Sequence, residues 1–146
     1  MEKNFRSISP EDTRKIGEYL ASLMDLGDIV TFEGDLGTGK TELIKGICNF
    51  FDVEEIVTSP TFTLQNSYYG KFDGNEFGIY HIDLYRIEDP KELINIGFDE
   101  VMADNEAIKL IEWPDKAGDG RIIPKIKVRI TTDDSDENVR YVEIIT

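Results

Sequence analysis

The sequence predicts an α/β fold whose mixed sheet is parallel at its centre and is flanked by helices and antiparallel hairpins. Three observations support this prediction. Short β-rich runs alternate with stretches whose apolar residues recur at helical spacing. A glycine-rich loop over 34–41 joins one β-rich run to a helical stretch. The 146 residues contain no internal repeat and no long linker, so we expect one domain over 1–146.

The first helix is predicted to begin at residue 10. Ser9 can cap it, Pro10 suits its first position, and Asp12 completes a variant of the capping box. Apolar residues then recur at helical spacing along one face: Ile16, Leu20, Leu23 and Met24. Gly27 is predicted to end the helix, and the β-rich run 29–32 that follows is typical of a buried strand.

The remaining elements follow from the same patterns. The glycine loop leads into a second helix over 40–51, and the break at Ser59-Pro60 precedes two β-rich runs, 62–69 and 77–83. Turn residues at 70–75 make these runs a hairpin. A further helix is predicted from Asp89-Pro90, and strands are predicted at 107–111, 125–130 and 141–145, with an acidic turn over 133–138.

The loop has the spacing G-x-x-x-x-G-K-[ST] of a P-loop. Gly34, Gly37 and Gly39 can take backbone angles closed to other residues, which lets successive N–H groups converge on phosphate oxygens. The following helix directs its positive end to the same place. The motif therefore predicts a P-loop NTPase-type domain that binds ATP together with Mg²⁺.

Individual roles follow from the motif. Lys40 is expected on a solvent-reachable loop, where its charge meets the β- and γ-phosphates, and the Thr41 hydroxyl is expected to coordinate Mg²⁺. The residues predicted to bind the nucleotide are Asp35, Leu36, Gly37, Thr38, Gly39, Lys40, Thr41 and Glu42.

Two carboxylates are candidates for the magnesium shell and for polarising the attacking water. Asp83 and Glu112 each end an apolar run, where open α/β sheets place their ligands. We predict Lys40, Asp83 and Glu112 as catalytic residues and Thr41, Asp83 and Glu112 as metal ligands. Which carboxylate contacts the metal directly stays open at this point.

Three other residues near these strand ends are less determined. His81 precedes Asp83 by two positions, so a regular strand puts both side chains on one face. A structural histidine is the favoured interpretation, because no metal-ligand cluster accompanies it. The roles of Arg86 and Trp113 stay open.

Composition restricts partners and location. The chain has 16 Lys and Arg against 30 Asp and Glu, a net charge of −14 that opposes direct tRNA binding. The only basic stripe, Lys125, Lys127 and Arg129, is interpreted as a solvated strand face. One cysteine, a charged N-terminus and the lack of a long apolar run predict a cytoplasmic protein without a membrane segment.

Other P-loop classes fit less well. The guanine-reading Asn-Lys-x-Asp of GTPases and the Ser-Gly-Gly signature of ABC ATPases are both absent from the sequence. Small-molecule kinases use several lid arginines, and only Arg86 and Arg121 lie where a lid could be. A small-molecule phosphotransferase and a nucleotide-binding interaction module without turnover remain as alternatives.

Four motifs in order resemble the TsaE (YjeE) family, P-loop ATPases of tRNA threonylcarbamoyladenosine biosynthesis. They are the loop 34–41, SPTF at 59–62, HIDLYR at 81–86 and IEWP at 111–114. The resemblance spans about 28–116, and nothing is carried over beyond it. It implies an ATPase that is weak alone and acts on a complex of TsaB and TsaD, with tRNA involved only indirectly.

The resemblance also implies roles for single residues. Lys40 and Thr41 would bind phosphate and Mg²⁺, and Thr61 would lie in a switch-like loop. Asp83 and Glu112 would lie near the metal and the attacking water.

Overall fold

The computed structural model describes residues 1–60 and 63–146, and it confirms the predicted fold class. Its strands are β1 Glu2–Ser7, β2 Ile29–Glu33, β3 Gln65–Phe72, β4 Asn75–Asp83, β5 Ile108–Glu112, β6 Ile126–Thr132 and β7 Arg140–Ile145. Its helices are α1 Pro10–Ala21, α2 Lys40–Phe50 and α3 Phe98–Met102, with 3₁₀ segments at Pro90–Ile96 and Pro114–Ala117.

The strands form one sheet in the order β1-β7-β6-β2-β5-β4-β3. The four central strands, β6, β2, β5 and β4, are mutually parallel. The outer strands β7, β1 and β3 pair antiparallel with their neighbours. Parallel pairing brings the carboxyl ends of β2, β5 and β4 to one edge of the sheet, where α/β proteins form their ligand sites.

Helices α1 and α2 pack together over one face of the sheet, and glycines allow their close approach. A Cβ on Gly17 would collide with the carbonyl oxygen of Leu43, and one on Gly46 would collide with that of Arg14. The main core lies between these helices and the sheet, around Leu20, Phe32 and Leu43. This packing fixes the start of α2 over the edge formed by the central strands.

A second core covers the opposite face. It includes Ile82 and Ile111 from the sheet and Leu93 and Phe98 from the chain between β4 and β5. That connection was predicted as a helix from residue 89, and its start is confirmed by a capping box at Asp89. The whole segment Pro90–Ile96 is 3₁₀ rather than α, and α3 follows after Gly97, whose positive φ of 65° breaks the helix.

Several boundaries differ from the sequence prediction. Helix α1 ends at Ala21, so Leu23 lies outside it and is 37% exposed, whereas Met24 is buried. The hairpin turn is only Asp73-Gly74, both at positive φ, because this two-residue turn matches the twist of the strands. β1 and α3 were not predicted. Thr61 and Phe62 lie outside the described residues, so the switch-like loop expected at Thr61 stays a prediction.

In the part of the chain that the structure describes, none of the helices combines the length and the apolar character needed to cross a bilayer.

Candidate nucleotide site

The P-loop joins the end of β2 to the start of α2. Gly37 and Gly39 have positive φ values of 79° and 105°, as their predicted role requires. Gly34 does not have a positive φ. A glycine is needed there for space, because a Cβ would lie 2.6 Å from the carbonyl oxygen of Ile130. The helix ladder begins with the N–H of Leu43 donating to Gly39. The amides just ahead of Leu43 therefore lie outside the ladder and can serve an anion.

Asp83 and Glu112 end neighbouring parallel strands and are direct partners in the register of β4 and β5. Both are buried, at 2% and 3% exposure. With the P-loop they line a pocket of about 290 Å³. Its lining residues are Leu36, Gly37, Thr38, Gly39, Lys40, Thr41, Glu42, Ser59, Asp83 and Glu112. All but one of the predicted site residues therefore meet in one pocket.

The remaining predicted residue is Asp35, which contributes its backbone instead. Its carbonyl accepts hydrogen bonds from the Thr38 hydroxyl at 2.8 Å and from Lys40 Nζ at 3.1 Å. Glu42 lines the pocket, but its carboxylate is held by Arg14 at 2.6 Å and Lys45 at 3.5 Å. Asp35 and Glu42 thus shape the loop and the first turn of α2 through contacts within the protein.

The prediction that Lys40 is solvent-reachable is wrong, because the residue is only 6% exposed. Its ammonium donates to the carbonyls of Gly34 and Asp35, and it lies 4.9 Å from the centre of the Trp113 ring. Burial lowers the pKa of Lys40, and the nearby carboxylates of Glu112, Asp83 and Asp35 oppose that shift. The loop carbonyls thus hold this cation at the pocket.

Trp113 lies directly after Glu112 in a conformation that is unusual for a bulky residue. Its φ is 57° and its ψ is 55°, the left-handed region. Its ring packs on Tyr85 with centroids 5.1 Å apart. Such strain persists only where surroundings enforce it, and it concentrates at functional sites. The sequence left Trp113 open, since backbone angles are not visible in a motif.

His81 is fully buried, and its Nε2 lies 2.7 Å from Oε2 of Glu112. The regular register of β4 places it on the same face as Asp83, as predicted. Within the described residues its Nδ1 has no hydrogen-bond partner. The predicted structural histidine therefore contacts a candidate catalytic carboxylate and restrains its orientation.

The oxygen donors at the pocket suit a hard cation. Thr41 offers a hydroxyl, and Asp83 and Glu112 offer carboxylates, which are the ligand types that Mg²⁺ prefers. Magnesium in nucleotide sites is completed by phosphate oxygens and water, so a dedicated protein cage is not needed. Over 1–60 and 63–146 there is no group of three or more His, Cys, Asp or Glu side chains arranged to hold a metal.

The mixed sheet, the glycine loop at the start of α2 and the paired strand-end carboxylates define a P-loop α/β protein. A family model described as "Threonylcarbamoyl adenosine biosynthesis protein TsaE" matches residues 7–142. The chain belongs to this family.

Individual relatives agree with this assignment. A protein of Bacillus subtilis strain 168, named tRNA threonylcarbamoyladenosine biosynthesis protein TsaE, is 38% identical over 109 residues; the match covers 75% of this chain and 65% of that protein. A Rickettsia conorii protein of the same name is 37% identical over 139 residues, covering 94% of this chain and 75% of that protein. The crystal structure of Bacillus YdiB superposes with a TM-score of 0.70 at 27% identity, covering 99% of this chain and 84% of that one.

Proposed function

We propose that this chain is a cytoplasmic ATPase that binds ATP with Mg²⁺ in the P-loop pocket. Its ATPase is weak alone and supports threonylcarbamoyladenosine modification of tRNA by acting on a complex of TsaB- and TsaD-type subunits. Family membership supports the pathway. The observation that carries the ATPase proposal is the direct pairing of Asp83 with Glu112 beside the start of α2.

In this proposal, different groups of the pocket bind the phosphates and the Mg²⁺ ion. Backbone N–H groups of the loop and the first turn of α2 would receive the phosphates, and Lys40 would exchange its loop carbonyls for phosphate oxygens. The burial that lowers the pKa of Lys40 also strengthens its attraction to an anion, because little water competes. Thr41 and one carboxylate would hold Mg²⁺.

The second carboxylate would orient and polarise the attacking water. Glu112 is the better candidate for this role, because His81 fixes one of its oxygens. Asp83 accepts the backbone N–H of Tyr85 at 3.0 Å, which fixes its orientation in turn. When bound, Mg²⁺ supplies charge neutralisation on the phosphates.

The test is phosphate release from ATP, measured with the chain alone and with TsaB- and TsaD-type proteins, alongside a panel of small phosphate acceptors. We expect slow release by the chain alone and faster release with the partners. Phosphate recovered on an acceptor would instead identify a phosphotransferase. Binding without release in any mixture would identify an interaction module without turnover.

A further inference from the structure

Arg140, the first residue of β7, reaches across to the P-loop. Its Nε donates to the carbonyl oxygen of Thr38 at 2.9 Å, and its Nη2 lies 3.4 Å from the carbonyl oxygen of Gly37. These two peptides precede Gly39 and Lys40, where α2 begins. One guanidinium thus contacts consecutive carbonyls in the middle of the phosphate-binding motif.

The same side chain is anchored at its own end. Its Nη1 donates to the carbonyl of Val139 at 3.0 Å and also to that of Glu137, in the turn between β6 and β7. That turn is ordered around Asp133, which accepts from Ser135 and Tyr141 and whose pKa these hydrogen bonds lower to about 2. Arg140 therefore connects the P-loop to the β6–β7 hairpin.

In the described part of the chain, Arg140 has no ion-pair partner. Among the described residues no carboxylate lies within 4.0 Å of its guanidinium, whereas Arg129 on β6 pairs with Glu33 and Glu143. Its donors go to backbone carbonyls instead. In a chain of net charge −14, this leaves a positive charge beside the loop that must receive an anion.

Peptide geometry links these contacts to phosphate binding. In a trans peptide the C=O and the following N–H point in opposite directions. Because the Thr38 carbonyl points to Arg140, the N–H of Gly39 points away from it. An arginine that fixes this carbonyl thereby fixes the direction of the Gly39 amide, and Gly39 lines the pocket.

We propose that Arg140 is a positioning residue of the nucleotide site, which sets the shape of the 37–39 segment and adds positive potential to it. This inference rests on the proposed binding of ATP. It does not require Arg140 to touch the nucleotide.

Calorimetric titration of the full chain with ATP and Mg²⁺ tests the proposal through Arg140→Gln and Arg140→Lys. Arg121→Gln is the control, because Arg121 is an exposed arginine that pairs with Asp99 and does not line the pocket. We expect about tenfold weaker ATP binding in Arg140→Gln. Arg140→Lys should recover only part of the lost affinity, since an ammonium cannot donate to both carbonyls in the planar geometry of a guanidinium. The control should bind like wild type.

Thermal melting without nucleotide separates positioning from folding. The proposal requires the affinity loss with a melting temperature close to that of wild type. Unchanged affinity in Arg140→Gln would overturn the proposal, as would a loss that unfolding explains or that Arg121→Gln matches. If wild type binds no ATP, the proposed function itself fails, and this inference fails with it.

Discussion

The ammonium of Lys40 lies among backbone carbonyls and an indole ring, with the carboxylates of Glu112, Asp83 and Asp35 nearby. Because burial lowers the pKa of Lys40 in the folded chain, protonation of this side chain costs folding free energy, and the cost is largest below its folded pKa. A neutral side chain of similar length removes that cost. It also removes the charge that the phosphates need.

We therefore expect Lys40→Met to lose about 1.5–3 kcal/mol of ATP binding while melting at or above the wild-type temperature. Calorimetry with ATP and Mg²⁺ and thermal melting of the free chain measure the two effects separately. Wild-type affinity in the variant would remove Lys40 from the phosphate site.

Asp83 and Glu112 are expected to act on turnover more than on binding. The isosteres Asp83→Asn and Glu112→Gln keep shape but lose charge, so each should slow partner-stimulated hydrolysis by about 100-fold with a smaller change in ATP affinity. Phosphate release and calorimetry on the same preparations give both numbers. A variant that hydrolyses ATP at the wild-type rate would show that the replaced carboxylate has no role in hydrolysis.

At the residue scale, local spacing in the sequence predicted much of the site. It did not predict the contacts between residues that are far apart in the sequence. Lys40 and Thr41 follow from the motif, and Asp83 and Glu112 follow from apolar runs that end in a carboxylate. The contact of His81 with Glu112 joins residues 31 apart, and it exists only because two strands share a register. The arginine at the P-loop is 102 residues from Thr38, where no sequence pattern connects them.

At the scale of elements, the contact between α1 and α2 places the start of α2 over the sheet edge. It depends on Gly46, where a Cβ would lie 2.8 Å from the carbonyl carbon of Arg14. The backbone of a packed helix cannot yield as a flexible side chain can. The close approach therefore depends on the absent side chain.

Gly46→Ala should destabilise the chain by about 1–3 kcal/mol, because overpacking against backbone exceeds the gain of about 1 kcal/mol in helix propensity. Gly78→Ala is the control, since its Cβ would meet only Ala107, at an ordinary 3.8 Å, and it should change stability by less than about 0.5 kcal/mol. Urea unfolding of both variants measures the difference. Equal stabilities would show that the helices can separate at no cost.

The sequence predicted the helices and strands that have a clear hydrophobic period or a turn motif. It did not predict the elements that lack both. β2, α2 and the β3–β4 hairpin carry apolar runs and turn residues. β1 is an edge strand with mostly exposed residues, so its sequence lacks the apolar alternation of a half-buried strand. α3 has only five residues and takes its stability from Phe98 in the second core.

At the scale of the whole molecule, charge distribution governs the partners. The basic stripe at β6 is largely neutralised, because Lys125 pairs with Asp25 and Asp28 while Arg129 pairs with Glu33 and Glu143. Few of these charges remain for an RNA backbone. The interpretation of the stripe as a solvated strand face fits these pairs.

We expect the isolated chain to bind tRNA weakly or not at all at near-physiological salt, and any tRNA dependence of hydrolysis to require the partner subunits. A fluorescence titration with tRNA measures this. Submicromolar binding that is lost on substituting Lys125, Lys127 and Arg129 would contradict the interpretation.

The central claim is that ATP and Mg²⁺ bind in the pocket where Lys40 meets Asp83 and Glu112. Trp113 is the only tryptophan of the chain, and its ring lies 4.9 Å from Lys40 Nζ, so its fluorescence reports on this pocket. Titration with ATP and Mg²⁺ should change Trp113 emission saturably, with the dissociation constant found by calorimetry. Calorimetric binding that leaves this emission unchanged, or no binding at all, would contradict the account.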